Sequence, residues 1–211
     1  RTALIPALVP REYLVNAVAL NATIGQTSQI VGPALGGLAI DLVGLGRCRG
    51  GYLLGQPATA LEIVARVRQA LPPSIPVTVK MRRAMDDSPR SRDQFFEIFD
   101  GVFALGVAAV TVHGRTVRQG YEGSASWDFL REVKQRAPGC TVLGSGDLLS
   151  APACLEMIAR TGVDGVAVAR GAIGNPWIFD QIRQLLAGRP LPPPPSLAQQ
   201  RQVIGEHYRL A

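Results

Sequence analysis

Four stretches of this chain run from small or β-branched residues into groups able to do chemistry. Val77-Thr78-Val79 leads to Lys80 and Arg82, and Ala108–Val112 leads to His113, Gly114 and Arg115. Thr141–Gly144 leads to Ser145, Gly146 and Asp147, and Asp164–Ala169 leads to Arg170 and Gly171. Lysine, arginine and histidine can donate hydrogen bonds to an anion or an electron-rich ring. A glycine-bearing strand exit that enters a helix offers backbone N–H groups to phosphate, and Arg170 adds a positive charge beside one of them. One such exit is a weak sign, whereas two on adjacent strands with an arginine carry more weight. Each residue has an ordinary alternative. Lys80 reads also as a surface lysine, and His113 as a packed core histidine.

These groups need elements to position them. Ala58–Leu71 has helical apolar spacing and stops at Pro72-Pro73, and Pro76–Arg82 is a β-branched strand. Asp93–Leu105, Trp127–Arg136, Ala151–Thr161 and Pro176–Leu186 read as helices, and the other three apolar stretches as strands. Strand–helix alternation repeated four times predicts an α/β fold with a parallel sheet. In a (β/α)8 barrel or a doubly wound sheet, ligands bind beyond the C-terminal strand ends, where all these groups converge.

The rest of the composition bounds the reading. The 211 residues carry a net charge of +6 and are 47% hydrophobic, enough for a sizeable core. Of the 22 basic residues only Lys80 and Lys134 are lysine. A basic balance points to phosphate-bearing partners such as RNA or a nucleotide, although coding bias explains arginine richness equally well. Cys48, Cys140 and Cys154 form no C-x-x-C pair, so no metal site and no disulfide framework is expected, and a reducing compartment is. The chain starts at Arg1 without a secretion signal, and is expected to be a piece of something longer.

Tyr13–Ile40 contains no charged residue, whereas charges recur every few positions from Arg47 onward, so a boundary is expected near Gly44–Gly50. The uncharged run is long enough to span a bilayer, and a membrane contact, if any, would come through residues 13–45. A glycine-rich soluble helix fits it equally. The run ALIPALVPREYLVNAVALNATIGQTSQIVGPALGGLAIDLVG resembles an internal piece of a major facilitator superfamily permease. A segment this short cannot enclose a transport path.

VTVKMR (77–82), TVHGRTVRQGYEGSASW (111–127), GSGDL (144–148) and VAVARGAIGNPWIF (166–179) together resemble the tRNA-dihydrouridine synthases. The resemblance implies an FMN-dependent reduction of uridine in tRNA, with NADPH as the electron source. It implies the C-terminal half of a flavin-binding (β/α)8 TIM barrel over residues 47–187, preceded by the permease-like helical segment 1–46. Residues 188–211 would be a Pro-rich linker and the start of a helical tRNA-binding domain. On this resemblance Lys80 and His113 lie beside the flavin, while Ser145, Gly146, Asp147, Ala169 and Arg170 lie at its phosphate. Ser145 stands where the family has Asn, and Ala169 where it has Gly. Arg115, Arg118, Gln119 and Tyr121 would form the loop that meets RNA. A basic loop with an aromatic suits an unstacked nucleotide, and a solvated loop held by Tyr121 is the even alternative.

The family's N-x-G-C-P motif, whose Cys protonates the uracil, does not occur in these 211 residues, and Cys48 in GRCRGGYLL is no substitute. The expectation is therefore a cytoplasmic, tRNA-directed chain that is inactive by itself. Open sheet edges would lead it to self-associate. Two other classes stay open. One is a membrane-associated transporter fragment, and the other an FMN- or phosphate-binding module of a different barrel enzyme.

Overall fold

The computed structural model describes residues 50–210. The permease-like segment 1–46, with the uncharged run 13–40 and the membrane contact considered for residues 13–45, lies outside them. A 3-10 turn, Gly50–Gly55, precedes α1 (Pro57–Ala70). Then come β1 (Thr78–Arg82), α2 (Pro89–Ala104), β2 (Ala109–His113), α3 (Trp127–Arg136), β3 (Val142–Ser145), α4 (Ala151–Thr161) and β4 (Gly165–Val166). A 3-10 turn, Arg170–Ala172, leads to α5 (Ile178–Leu186), and α6 (Leu197–Leu210) closes the described chain.

The helix starts follow from capping. Ser88, Ser126 and Ser150 each accept a hydrogen bond from the backbone N–H three residues on. A serine in that position satisfies one of the amides that a helix leaves unpaired. Pro89 occupies the first turn of α2, where its missing N–H costs nothing. Asp86 accepts from the hydroxyls of Ser88 and Ser91, both at 2.6 Å, so α2 begins four residues before its apolar spacing does.

All four strands are parallel, in the order β1-β2-β3-β4. Lys80 pairs with Thr111, Arg82 with His113, and His113 with Ser145, so the C-terminal ends stand side by side. The sheet has two unlike faces. Val110, Val112 and Val142 are fully buried against the helices. Phe95 and Phe99 of α2 lie in the same core, and Phe95 meets Phe129 of α3 edge to face at 5.0 Å. The opposite face carries Thr78, Lys80, Thr111 and His113, of which Thr78 and Lys80 are exposed. That asymmetry is what a barrel segment shows when helices cover its outer face and the strands bear the lumen side chains, and the fold is a partial (β/α)8 barrel.

β4 is shorter than the apolar pattern of Asp164–Ala169 predicts. Its ladder ends when Ala167 N–H donates to Gly144 O. The Ala167 carbonyl then accepts the Ser145 hydroxyl at 3.0 Å instead of a strand partner, and the chain turns away. Among the described residues no helix is long and apolar enough to cross a membrane, and no group of three His, Cys, Asp or Glu could hold a metal ion.

Candidate functional site

The exits of β2, β3 and β4 form a shallow, solvent-open depression of about 30 Å³, lined by His113, Ser145, Gly146, Asp147, Ala169 and Arg170, with Leu148, Leu149 and Ala167 in its wall. So small a volume is no enclosed ligand pocket, and what it offers is polar groups at the edge of the open sheet face.

Two glycines shape this floor. Gly146 has φ of 124°, and a Cβ there would sit 2.5 Å from the Ala125 Cβ. A Cβ on Gly171 would fall 2.1 Å from the Leu148 carbonyl oxygen, so the β4 exit can lie against the β3 exit only with glycine. Asp147, at φ 58°, is the single non-glycine residue with positive φ among the described residues. Aspartate tolerates this region better than most side chains, and the contacts of its carboxylate hold it there.

That carboxylate is the most connected group of the site. One oxygen accepts from Arg115 at 2.7 Å and from Arg170 at 3.4 Å, and the other accepts from the Ala125 N–H at 2.7 Å. Burial alone would raise its pKa. The Ala125 amide and the Arg115 charge outweigh that and hold the carboxyl below the ordinary range. Asp147 thus ties the site together and keeps little free capacity of its own.

His113 is half-buried at the end of β2, and its Nδ1 accepts from the Arg115 backbone N–H at 3.2 Å. Burial first, and then Arg82, Arg115 and Lys80, press its pKa down to about 4. Ser145 is buried with its hydroxyl spent on the Ala167 carbonyl. Ala169 is exposed at the rim, and Arg170 is half-exposed. Lys80 does not line the cavity. It stands exposed on the open face, two residues before Arg82.

The loop after β2 divides into two kinds of residue. Arg115 is 3% exposed, and its guanidinium faces inward, donating to Glu122 O, Gly123 O and Asp147. Gln119 also works internally, its amide N–H donating to Glu122 O and Ser124 O. Arg118 and Tyr121 face outward, Arg118 with only a solvent-screened ion pair to Asp86 at 3.1 Å. Two guanidinia stand near the Tyr121 ring, Arg82 at 5.7 Å and Arg170 at 4.9 Å from its centroid. Cation–π attraction there links the β1 end, this loop and the β4 exit.

Arg82 stands among the polar strand ends of the sequence, but the family resemblance gave it no role. It donates to Thr116 O at 2.7 Å and Gly120 O at 2.8 Å, which anchors the loop to β1. Its signal was the strand alternation that puts it on the same face as Lys80. Neither cysteine of the described region borders the cavity. Cys154 is fully buried in α4, where burial pushes its thiol up, and Cys140 is half-buried before β3.

The donor set can hold a phosphorylated heteroaromatic cofactor. Arg170 has one long hydrogen bond, 3.4 Å to Asp147, beside its contact with the Tyr121 ring, the Gly146 and Gly171 floor admits close approach, and Lys80 and His113 offer donors on one face. Residues 46–211 match the dihydrouridine synthase (Dus) family. A probable tRNA-dihydrouridine synthase of Mycobacterium leprae (strain TN) is 38% identical over 148 residues, 70% of this chain and 38% of the relative. One of Rickettsia prowazekii (strain Madrid E) is 38% identical over 161 residues, 75% of this chain and 48% of the relative. Another, of Synechocystis sp. (strain ATCC 27184 / PCC 6803 / Kazusa), is 34% identical over 161 residues, covering 76% and 44%. The chain spans less than half the length of each of these relatives. With most of its length under that family match, and with the ends of β2, β3 and β4 gathered round one cavity, the chain belongs to the dihydrouridine synthase family.

Proposed function

We propose that this chain carries the cofactor-binding part of a tRNA-dihydrouridine synthase, the whole of which reduces uridine in tRNA in the cytoplasm. NADPH, a proton and uridine would give NADP+ and dihydrouridine. The observation that carries this reading is the convergence of His113, Ser145, Asp147 and Arg170 on one cavity in a member of this family. FMN, when bound, supplies hydride transfer between the two organic partners. Arg170, with the Gly146 and Gly171 backbone, would hold its phosphate. His113 and Lys80 would donate to its ring. Asp147 and Arg115 would keep that floor in place. Arg118 and Tyr121 would meet the RNA, Tyr121 as a surface on which an unpaired base stacks.

The proton for the second uracil carbon requires an acid, and among the described residues neither cysteine borders the cavity. The 211 residues are therefore expected to bind FMN without completing uridine reduction. The outer edges of β1 and β4 have no strand partner among the described residues, and they would favour self-association.

A fluorescence titration with FMN, and with riboflavin as the phosphate-free control, tests the reading. FMN is expected to bind at least about tenfold more tightly than riboflavin, in keeping with loss of a charge-assisted contact. Equal affinity for the two flavins, or none for either, would refute it.

A further inference from the structure

One contact decides how His113 can act. A ring nitrogen that accepts a hydrogen bond does not carry the proton in a neutral imidazole, so acceptance by Nδ1 from the Arg115 N–H leaves Nε2 as the ring's donor. The turn that makes this contact is closely constrained. A Cβ on the intervening Gly114 would fall 2.9 Å from Ser126 O and 3.0 Å from Ser126 N.

The charges around the ring all come from identified elements. Lys80 and Arg82 stand on β1, Arg115 follows β2, Asp147 follows β3, and Arg170 follows β4. Of these only Asp147 favours a second proton on the ring. Its two oxygens are already taken by Arg115, Arg170 and the Ala125 N–H.

We infer that His113 serves the cavity as a neutral hydrogen-bond donor of fixed tautomer, presenting Nε2–H to its ligand, and acts neither as a cation nor as a proton carrier near neutral pH. Such a donor selects an acceptor: a carbonyl oxygen or an unprotonated ring nitrogen of a heteroaromatic ligand. The inference rests on the function proposed above only for the identity of that acceptor. The tautomer itself belongs to the chain.

The sequence holds two histidines, so the exposed His207→Gln variant leaves one imidazole to observe. Long-range nitrogen–proton correlation spectra of that variant, without ligand, read the ring directly. Nδ1 is expected to resonate as an unprotonated nitrogen and Nε2 as a protonated one, unchanged between about pH 5.5 and 8. The reverse assignment, an averaged pair, or a titration within that range would overturn the inference. A second comparison uses FMN affinity. His113→Gln places an amide donor near the Nε2 position, whereas His113→Asn places an acceptor near Nδ1. Gln is expected to stay within about threefold of the parent and Asn to lose about tenfold. An Asn variant that binds as well as the Gln variant would count against the donor role. If the parent itself binds no FMN, the proposed function fails while the spectra still decide the tautomer.

Discussion

Replacing Arg115 by Met removes the tie between Asp147 and the loop after β2 while keeping most of the aliphatic stem. Arg115 makes a 2.7 Å ion pair with Asp147 and a 2.5 Å hydrogen bond to Gly123 O, while its contact to Glu122 O at 3.3 Å is longer and weaker. Losing one partner of a buried pair costs ~3–5 kcal/mol. Two features pull the figure down. The Asp147 side chain is 29% exposed and keeps the Ala125 N–H and Arg170, and one buried Arg115 nitrogen, Nη1, has no partner in the native site. An orphaned buried donor costs ~1–3 kcal/mol, which Met removes. The net expectation is a loss of about 2–3 kcal/mol. With a urea m-value of ~2 kcal/mol/M the midpoint should fall by roughly 1–1.5 M, followed by tryptophan fluorescence. Asp147→Asn should also destabilise, and the Arg115→Met/Asp147→Asn pair should cost at least ~1 kcal/mol less than the sum of its singles. A midpoint shift of Arg115→Met below about 0.5 M, or strict additivity, would show that this guanidinium does not hold the site.

Other outcomes follow from the same contacts. His113 has a folded pKa below its unfolded value near 6.5, so the unfolded chain binds the extra proton first. Its contribution to stability is complete above about pH 6.5 and is lost as pH falls toward 4. Melting temperatures should therefore decline over that range in the parent and decline less in His113→Gln. Asp147 works in the same sense at lower pH, its contribution being present above about 4 and disappearing on further acidification. Gly171→Ala should cost about 1–3 kcal/mol by thermal or urea melting, because the added methyl meets the Leu148 backbone and not a movable side chain. Arg170→Gln should change stability by no more than ~0.5 kcal/mol, since Arg170 is half-exposed, yet weaken FMN about tenfold and leave riboflavin unchanged in a fluorescence titration. Size-exclusion chromatography of the purified chain should show species larger than a 22.5 kDa monomer, and a monodisperse monomer would contradict the open-edge argument.

Where the sequence spoke plainly, a local device wrote the structure. α3 and α4 begin and end where their spacing predicts, because Ser126 and Ser150 cap them and Gly162 ends α4 in the left-handed conformation. The gathering of the polar strand exits was legible for a similar reason: parallel strands in register bring their C-terminal ends together whatever the loops do. What the sequence concealed depends on distant partners. Arg115 looks like one more basic loop residue, and only Asp147, 32 positions away, and the carbonyls of Glu122 and Gly123 explain its burial. The approach of both Arg82 and Arg170 to Tyr121 joins three separate elements, which no spacing rule encodes. α2 starts earlier than its apolar period because its cap is polar, and β4 stops earlier because a serine side chain takes the carbonyl that a longer ladder would use.

The neighbour-to-neighbour order of the sheet also bears on how the chain is made. Each strand pairs with the one that follows it in sequence, and none must be inserted between two that already touch. Every connection is a single crossover through one helix, residues 83–108, 114–141 and 146–164, and closure entropy grows only slowly with loop length, so the entropy lost at each docking step stays modest. A nascent chain can therefore add one strand–helix unit at a time as it leaves the ribosome. Each completed unit presents the edge on which the next will settle.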